Sequence, residues 1–217
     1  MLVIDASKSA QNYLVDLSEV LRTFFDKFMD PAAKVGMIAI QDGHAKMLFA
    51  PTRNRLRVFG RMKELKSGGY TPLATALQIA RMQLLQLKRA DPVNRSFIIL
   101  VSDCYPEPIQ QLGDPYEAEP YKEVRHQAEL LRQSGIPSVV IDPSNPSKGI
   151  AEKLPGRRLA RFITNVSRGV YINIPMITLK SLGSITPKFV EDEETKQHAQ
   201  KILKELMPLL VVRRIEG

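Results

Sequence analysis

Short apolar runs alternate with amphipathic stretches along the chain. Apolar runs of five to eight residues, bounded by polar residues, are typical of strands buried in a sheet. They lie at residues 1–5, 34–41, 95–102, 138–142 and 169–174. Apolar residues at helical spacing predict helices at residues 11–29, 53–65, 72–87, 117–133 and 191–207. Two shorter helical segments are predicted between residues 148 and 165, interrupted by Pro155-Gly156.

Turn signals complete the predicted architecture. Asp42-Gly43 is a hairpin signal, so residues 45–49 are predicted to return antiparallel until Pro51 closes that strand. Thr71 is predicted to cap the next helix, with Pro72 at its first position. Alternating strands and helices with one hairpin indicate an α/β fold. We expect a doubly wound, mostly parallel six-stranded sheet with one antiparallel edge strand and helices on both faces, a Rossmann-like arrangement.

The composition fits a single domain over residues 1–217, with residues 191–217 as a C-terminal helix and tail. Of the 217 residues, 44% are hydrophobic, which suffices for a sizeable core. No apolar run has the length of a membrane span, and no secretory signal is recognisable. The single cysteine, Cys104, excludes an intrachain disulfide, so a cytoplasmic location is expected. Because a central strand begins at Met1, we expect a truncated chain, a misassigned start or a split gene.

The chain is basic, with a formal net charge of +8. Such a surplus favours nucleic acid, an anionic membrane or an acidic protein partner, and it carries no information about the fold. The densest group of basic residues comprises Arg53, Arg55, Arg57, Arg61, Lys63 and Lys66. This group is either a solvated helix face or a docking surface for a negatively charged partner.

A short polar motif, Asp5-Ala6-Ser7-Lys8-Ser9, follows the first predicted strand. It places one carboxylate and two hydroxyls on one turn. Taken alone the motif is weak, because Ser7 or Ser9 could simply cap the next helix. Its value depends on whether further oxygen ligands lie nearby in the fold.

Further oxygens are predicted at the same edge of the sheet. Asp103 follows the buried run at residues 95–102, and Thr71 follows Gly68-Gly69 before the helix that leads into that run. In a doubly wound sheet, ligands bind beyond the carboxyl ends of the strands where strand order reverses. Carboxylates and hydroxyls are hard ligands suited to Mg²⁺, or to Mn²⁺ or Ca²⁺. The predicted metal ligands are Asp5, Ser7, Ser9, Thr71 and Asp103. The alternative without metal is that Asp103 caps a turn and Thr71 caps a helix.

These residues, in this order, resemble a von Willebrand factor A domain with a metal-ion-dependent adhesion site. The three motif elements stand here as Asp5-x-Ser7-x-Ser9, Thr71 and Asp103. The chain is most similar to the A domain of the D subunit of magnesium and cobalt chelatases. That similarity is carried by Val35-Gly36-Met37-Ile38-Ala39, Pro51-Thr52-Arg53, Gly68-Gly69-x-Thr71-Pro72-Leu73 and Gly135-Ile136-Pro137. Lys8 and Cys104 depart from the family, which commonly has glycine at both positions.

The resemblance implies a metal-dependent protein–protein interaction module. The ion would capture a Glu or Asp of a partner, and the chain would be a non-ATPase subunit or domain of a chelatase-like assembly of the AAA+ class. No phosphate-binding Gly-x-x-x-x-Gly-Lys-Ser/Thr loop is present, so the chain is not expected to hydrolyse ATP, and no catalytic residue is assigned.

Two other functions stay open. A metal-dependent hydrolase would use the same ion, although His44, His126 and His198 lack ligand or triad spacing. A basic A domain that binds nucleic acid or belongs to an RNA–protein particle would use the positive charge. The chain has no recognised nucleic-acid-binding module and no tryptophan, so nucleic acid is the less expected partner, and no membrane contact is expected.

Overall fold

The fold was analysed in a computed structural model. It describes residues 1–7, 18, 21–22, 25–26, 30–66, 68–93, 95–108, 113–144 and 154–173. The strands are β1 Leu2–Asp5, β2 Val35–Gln41, β3 His44–Thr52, β4 Ile98–Val101, β5 Ser138–Asp142 and β6 Val170–Asn173. The helices are α1 Arg55–Lys63, α2 Leu73–Ala90, α3 Glu119–Gln133 and α4 Pro155–Ser167, with a 3₁₀ turn at Pro115–Glu117.

The six strands form one sheet in the order β3-β2-β1-β4-β5-β6. All neighbours pair in parallel except β2 and β3, which are antiparallel and place β3 at the edge. The chain adds β2 and then β3 on one side of β1, and it adds β4, β5 and β6 on the other side. The predicted fold class is therefore confirmed, and the strand order reverses between β1 and β4.

Alternation along β1 divides the core between the two faces of the sheet. Leu2 and Ile4 belong to the cluster that contains Val58 and Phe59 of α1. Val3 belongs to the larger cluster, which is built with α2, α3 and α4. Because every residue of β1 is fully buried, the end of this strand is fixed by packing on both faces. Asp5 is the last residue of that strand.

Two sequence predictions about element ends were wrong. Pro51 does not close β3, which continues to Thr52. Proline is tolerated there because β3 is an edge strand, where a missing N–H need not break a ladder on both sides. The pairing with β2 is irregular between Val35 and Ile38. Pro155-Gly156, predicted to separate two helical segments, instead belongs to the first turn of α4, where the missing N–H of Pro155 costs nothing.

A third correction concerns Thr71. Helix α2 begins at Leu73 with Pro72 as its N-cap residue, and no side chain caps it. Other predictions fall largely or wholly outside the described residues, namely the helix at 11–29, the segment from 148 to 153 and the helix at 191–207. Within the first of these, Leu21 and Phe25 are helical and buried, and the Phe25 ring lies 5.4 Å from that of Phe59.

Candidate metal centre

Asp5 lies at the carboxyl end of β1, where the strand order reverses. Its side chain is buried. Oδ1 accepts a hydrogen bond from the backbone N–H of Ser7 at 2.9 Å, which tightens the turn after the strand. Oδ2 accepts one from the hydroxyl of Ser102 at 2.7 Å. Both carboxylate oxygens are thus held in place by neighbouring groups.

The hydroxyls of Ser7 and Thr71 also hydrogen-bond to this carboxylate. Both residues are buried. Burial raises the pKa of Asp5, while the hydrogen bonds from Ser102, Ser7 and Thr71 oppose that shift without cancelling it. A buried carboxylate surrounded by hydroxyls is electrostatically suited to a hard cation, which would favour its ionised form.

The loop before α2 brings Thr71 to Asp5. The N–H of Gly68 donates to the carbonyl of Ala6 at 3.0 Å, and the N–H of Asp42 donates to the carbonyl of Gly68 at 3.0 Å. Gly69 has φ of +72°, and a Cβ there would lie 2.2 Å from the backbone nitrogen of Gly43. Only glycine fits this close approach, so the Gly68-Gly69 pair explains how the loop reaches the end of β1.

Asp103 lies in the loop after β4, at the same edge of the sheet. It is partly buried. Burial raises the pKa of the Cys104 thiol most, and the charges of Asp142, Asp103 and Asp5 raise it further. Three acids therefore lie within electrostatic reach of one buried side chain. The loop is also tied to the Thr71 loop, since the N–H of Glu107 donates to the carbonyl of Thr71 at 3.1 Å.

The departure from glycine at position 104 has a visible consequence. Cys104 has φ of +57°, in the left-handed region that favours glycine. Its N–H donates to the hydroxyl of Ser102 at 2.9 Å, and its thiol is buried against apolar side chains of the larger core cluster. The cysteine is thus a packed core residue next to the candidate site.

The structure brings together Asp5, Ser7 and Thr71, with Asp103 at the same edge of the sheet. Ser9, like Lys8, lies outside the described residues. The sequence reasoning missed Ser102, which links the Asp5 carboxylate to the backbone of the Asp103 loop. The signal that could have found it is a serine at the end of an apolar strand, directly before the candidate acid.

Asp142 is a second buried acid, at the end of β5. Its Oδ1 accepts from the N–H of Ser144 at 2.9 Å, and its Oδ2 accepts from the hydroxyl of Tyr171 at 2.7 Å. The buried guanidinium of Arg157 lies 3.6 Å from Oδ2. Because these neighbours already compensate its charge, Asp142 belongs to the support of the β5 and β6 ends rather than to the candidate ligand set.

Other side chains with metal or catalytic chemistry do not form a competing site. Among the described residues, no group of three or more His, Cys, Asp or Glu is arranged to hold a metal ion. His44 and His126 are exposed, on β3 and α3, and His198 lies outside the described range. A hydroxyl-rich site built around Asp5 is therefore the strongest metal candidate in the described part of the chain.

Several basic side chains before and within α1 contact neighbouring groups of the same chain. Arg55 donates to the carbonyls of Phe25 and Asp30. Arg57 lies over the Phe49 ring, 5.3 Å from its centroid, and Arg61 pairs with Glu64. These contacts favour the solvated helix face over a dedicated docking surface. No helix in the described ranges is long and apolar enough to span a membrane.

Comparison with known proteins identifies the fold. Residues 1–105 match the family model described as the von Willebrand factor type A domain. Over 111 residues the chain is 32% identical to the magnesium-chelatase 60 kDa subunit of Cereibacter sphaeroides, a match covering 51% of this chain and 19% of that subunit. The aligned region thus spans about a fifth of that relative's length. The expected resemblance to A domains and to a chelatase subunit is confirmed.

Solved structures agree on the fold. The VWA domain of SpRpn10 has a TM-score of 0.60 at 17% identity, covering 86% of this chain and 94% of that chain. The manganese-loaded Plasmodium vivax TRAP protein has a TM-score of 0.51 at 17% identity, covering 86% and 70%. At such identities the likeness concerns the architecture alone.

Proposed function

Since the chain has the fold of a von Willebrand factor type A domain and matches that family over residues 1–105, we propose that it is a metal-dependent protein–protein interaction module. Asp5, Ser7, Ser9, Thr71 and Asp103 would hold a divalent cation, Mg²⁺ in the first place and Mn²⁺ or Ca²⁺ as alternatives. When bound, the ion would supply positive charge for one anionic oxygen of a partner's Glu or Asp.

One observation carries the proposal. The buried carboxylate of Asp5 is surrounded by the hydroxyls of Ser7, Thr71 and Ser102 at the point where the strand order reverses. Hard oxygen donors with few negative charges suit a cation that still attracts an outside anion. The chain's own residues would therefore bind and orient, and the donor set assigns no nucleophile or general base.

The partner is proposed from the relatives. The similarity to a magnesium-chelatase subunit favours a place in a chelatase-like assembly with an AAA+ ATPase. The sequence has no phosphate-binding loop of its own, so ATP hydrolysis would occur on the partner.

Metal binding is tested by titrating the apo protein with Mg²⁺ in a calorimeter and with Mn²⁺ by electron paramagnetic resonance. We expect one site, and we expect Asp5→Asn to weaken it by about 100-fold or more, since even a residue supporting a ligand is worth 10–100-fold. Asp91→Asn, at an exposed position after α2, is the matched control. Equal affinities for the wild type and Asp5→Asn would refute the metal site.

Partner capture is tested separately. Tagged wild type, Asp5→Ala and Asp91→Asn are used as baits in cell extract with Mg²⁺ or with EDTA, and bound proteins are identified by mass spectrometry. The proposal expects an AAA+ ATPase subunit that is retained by the wild type and Asp91→Asn with Mg²⁺ only. Recovery that is equal with EDTA or with Asp5→Ala would contradict it.

A further inference from the structure

A groove of about 560 Å³ adjoins the candidate metal centre. It lies between the start of α2, the loop after β4 and the start of α3. Thr71, one of the proposed ligands, forms part of its wall. Its volume falls in the range of small-ligand pockets. A partner segment bound at the metal would therefore pass the mouth of this groove.

All charged side chains that line the groove in the described part of the chain are acidic: Glu107, Glu119 and Glu123. All three are exposed, and none forms an ion pair with another described residue. The chain as a whole has 31 basic and 23 acidic side chains, so this groove has the opposite sign to the molecule. Its negative potential is a local feature that average composition does not explain.

Helix electrostatics accounts for only one of the three glutamates. Glu119 lies in the first turn of α3, where a carboxylate stabilises the helix dipole. Glu123 is in the second turn and Glu107 is in the loop after β4, so neither has that role. Two bases of α3 are close in sequence to these glutamates, Lys122, which is exposed, and Arg125, which donates to the carbonyl of Tyr116 and lies over its ring, 4.4 Å from the centroid. Neither lines the groove.

An aromatic residue adds a second line of argument. Tyr70 lines the groove with 49% of its surface exposed, and its ring packs against Gly43 of the β2–β3 turn. An exposed ring held in this way can lie against a guanidinium.

We propose that this groove binds a basic side chain of the same partner whose acidic residue is captured at the metal centre. The proposal rests on the proposed function. Because Thr71 is both a proposed ligand and part of the groove wall, the partner segment would carry its Asp or Glu within about three residues of an arginine or lysine, which is roughly 10 Å of extended chain. The glutamates attract that base and repel a second acidic residue, which would distinguish such a segment from one that is acidic throughout.

The test is a selection from displayed peptides on the immobilised full chain. One library has a fixed central Asp with six randomised residues on each side, and a second has Asn at the fixed position. Selections are run with Mg²⁺ and with EDTA. The baits are the wild type, the Glu107→Gln/Glu123→Gln double variant, and Glu129→Gln, an exposed acid of α3 outside the groove.

With Mg²⁺ and the Asp library, arginine or lysine should be enriched about fivefold or more within three positions on one side, which corresponds to one good surface ion pair. Glu129→Gln should preserve this preference, and the double variant should abolish it. Retention that depends on neither Mg²⁺ nor the fixed Asp would overturn the proposed function, and the pairing of sites with it. If retention depends on both Mg²⁺ and the fixed Asp, two results would overturn the groove proposal alone. One is that basic residues are not enriched, and the other is that the double variant keeps their enrichment.

Discussion

Ser102→Ala is the sharpest test of how the candidate site is built. The Ser102 hydroxyl donates to Asp5 Oδ2 at 2.7 Å and accepts from the Cys104 N–H at 2.9 Å. All of these groups are buried. Alanine would remove a donor from a buried carboxylate and leave a buried backbone N–H without its acceptor.

The size of the effect follows from these two contacts. A hydrogen bond to a charged group contributes about 1.5–3 kcal/mol, and an unsatisfied buried donor costs about 1–3 kcal/mol. Because local relaxation would recover part of the loss, we expect the free energy of unfolding to fall by about 3 kcal/mol. Since Ser102 also orients Asp5, Mg²⁺ affinity should fall by about 10–100-fold, as for residues that support metal ligands.

Urea unfolding followed by far-ultraviolet circular dichroism measures the stability, and calorimetry measures the affinity. Ser138→Ala is the matched control: Ser138 is also fully buried, at the start of β5, and its hydroxyl pairs with that of Ser167 at 2.6 Å. It should lose about 1 kcal/mol, as for a neutral hydrogen bond, and leave Mg²⁺ affinity unchanged.

A double-mutant cycle between Ser102→Ala and Asp5→Asn isolates the contact itself. A coupling of about 1–2 kcal/mol is expected for hydrogen-bonded neighbours. The reasoning fails if Ser102→Ala costs no more than Ser138→Ala, or if the two substitutions are additive.

Three other changes test the surroundings of the site. Gly69→Ala should destabilise the fold by about 3 kcal/mol or more, because the cost of a left-handed backbone conformation adds to the cost of a backbone clash. Gly60→Ala, in the middle of α1 where a Cβ meets no neighbour, should instead stabilise the fold by about 0.5–1 kcal/mol. Thermal unfolding compares the two variants. Cys104, which is buried, should react with iodoacetamide at pH 8 about 100-fold more slowly in the native protein than in urea, as measured by mass spectrometry. Tyr171→Phe should cost about 1–2 kcal/mol in urea unfolding by removing the bond to Asp142, and an unchanged midpoint would contradict this.

The sequence was sufficient to predict that Asp5, Thr71 and Asp103 lie at the same end of the sheet, because this placement depends on local patterns. A buried run that ends in Asp5, and a later one followed by Asp103, place two acids at the carboxyl ends of strands. The parallel order of an α/β sheet then makes these ends neighbours. Five of the six strands were predictable for the same reason, since each has its own apolar run, and β3 was predictable from the hairpin signal Asp42-Gly43.

The details that escaped prediction depend on contacts distant in sequence. Thr71 before Pro72 has the local signature of a helix cap, yet docking of the Gly68-Gly69 loop on Ala6 turns its hydroxyl toward Asp5 instead. Ser102 is indistinguishable from any strand-end serine until β1 and β4 pair. In the sequence Pro51 indicates the end of a strand, because the sequence does not show that this strand lies at the edge of the sheet, where a proline is tolerated.

The edge strand β3 bears on how this protein behaves at high concentration. An exposed strand edge can pair with the edge of another copy and begin aggregation. Here the strand carries the exposed cation Lys46 and the non-donating Pro51, and its pairing with β2 is irregular near Val35. A charge, a missing N–H and a local distortion are features by which natural sheets prevent such pairing. The same irregular strand that misled the sequence prediction would thus help to keep the domain monodisperse.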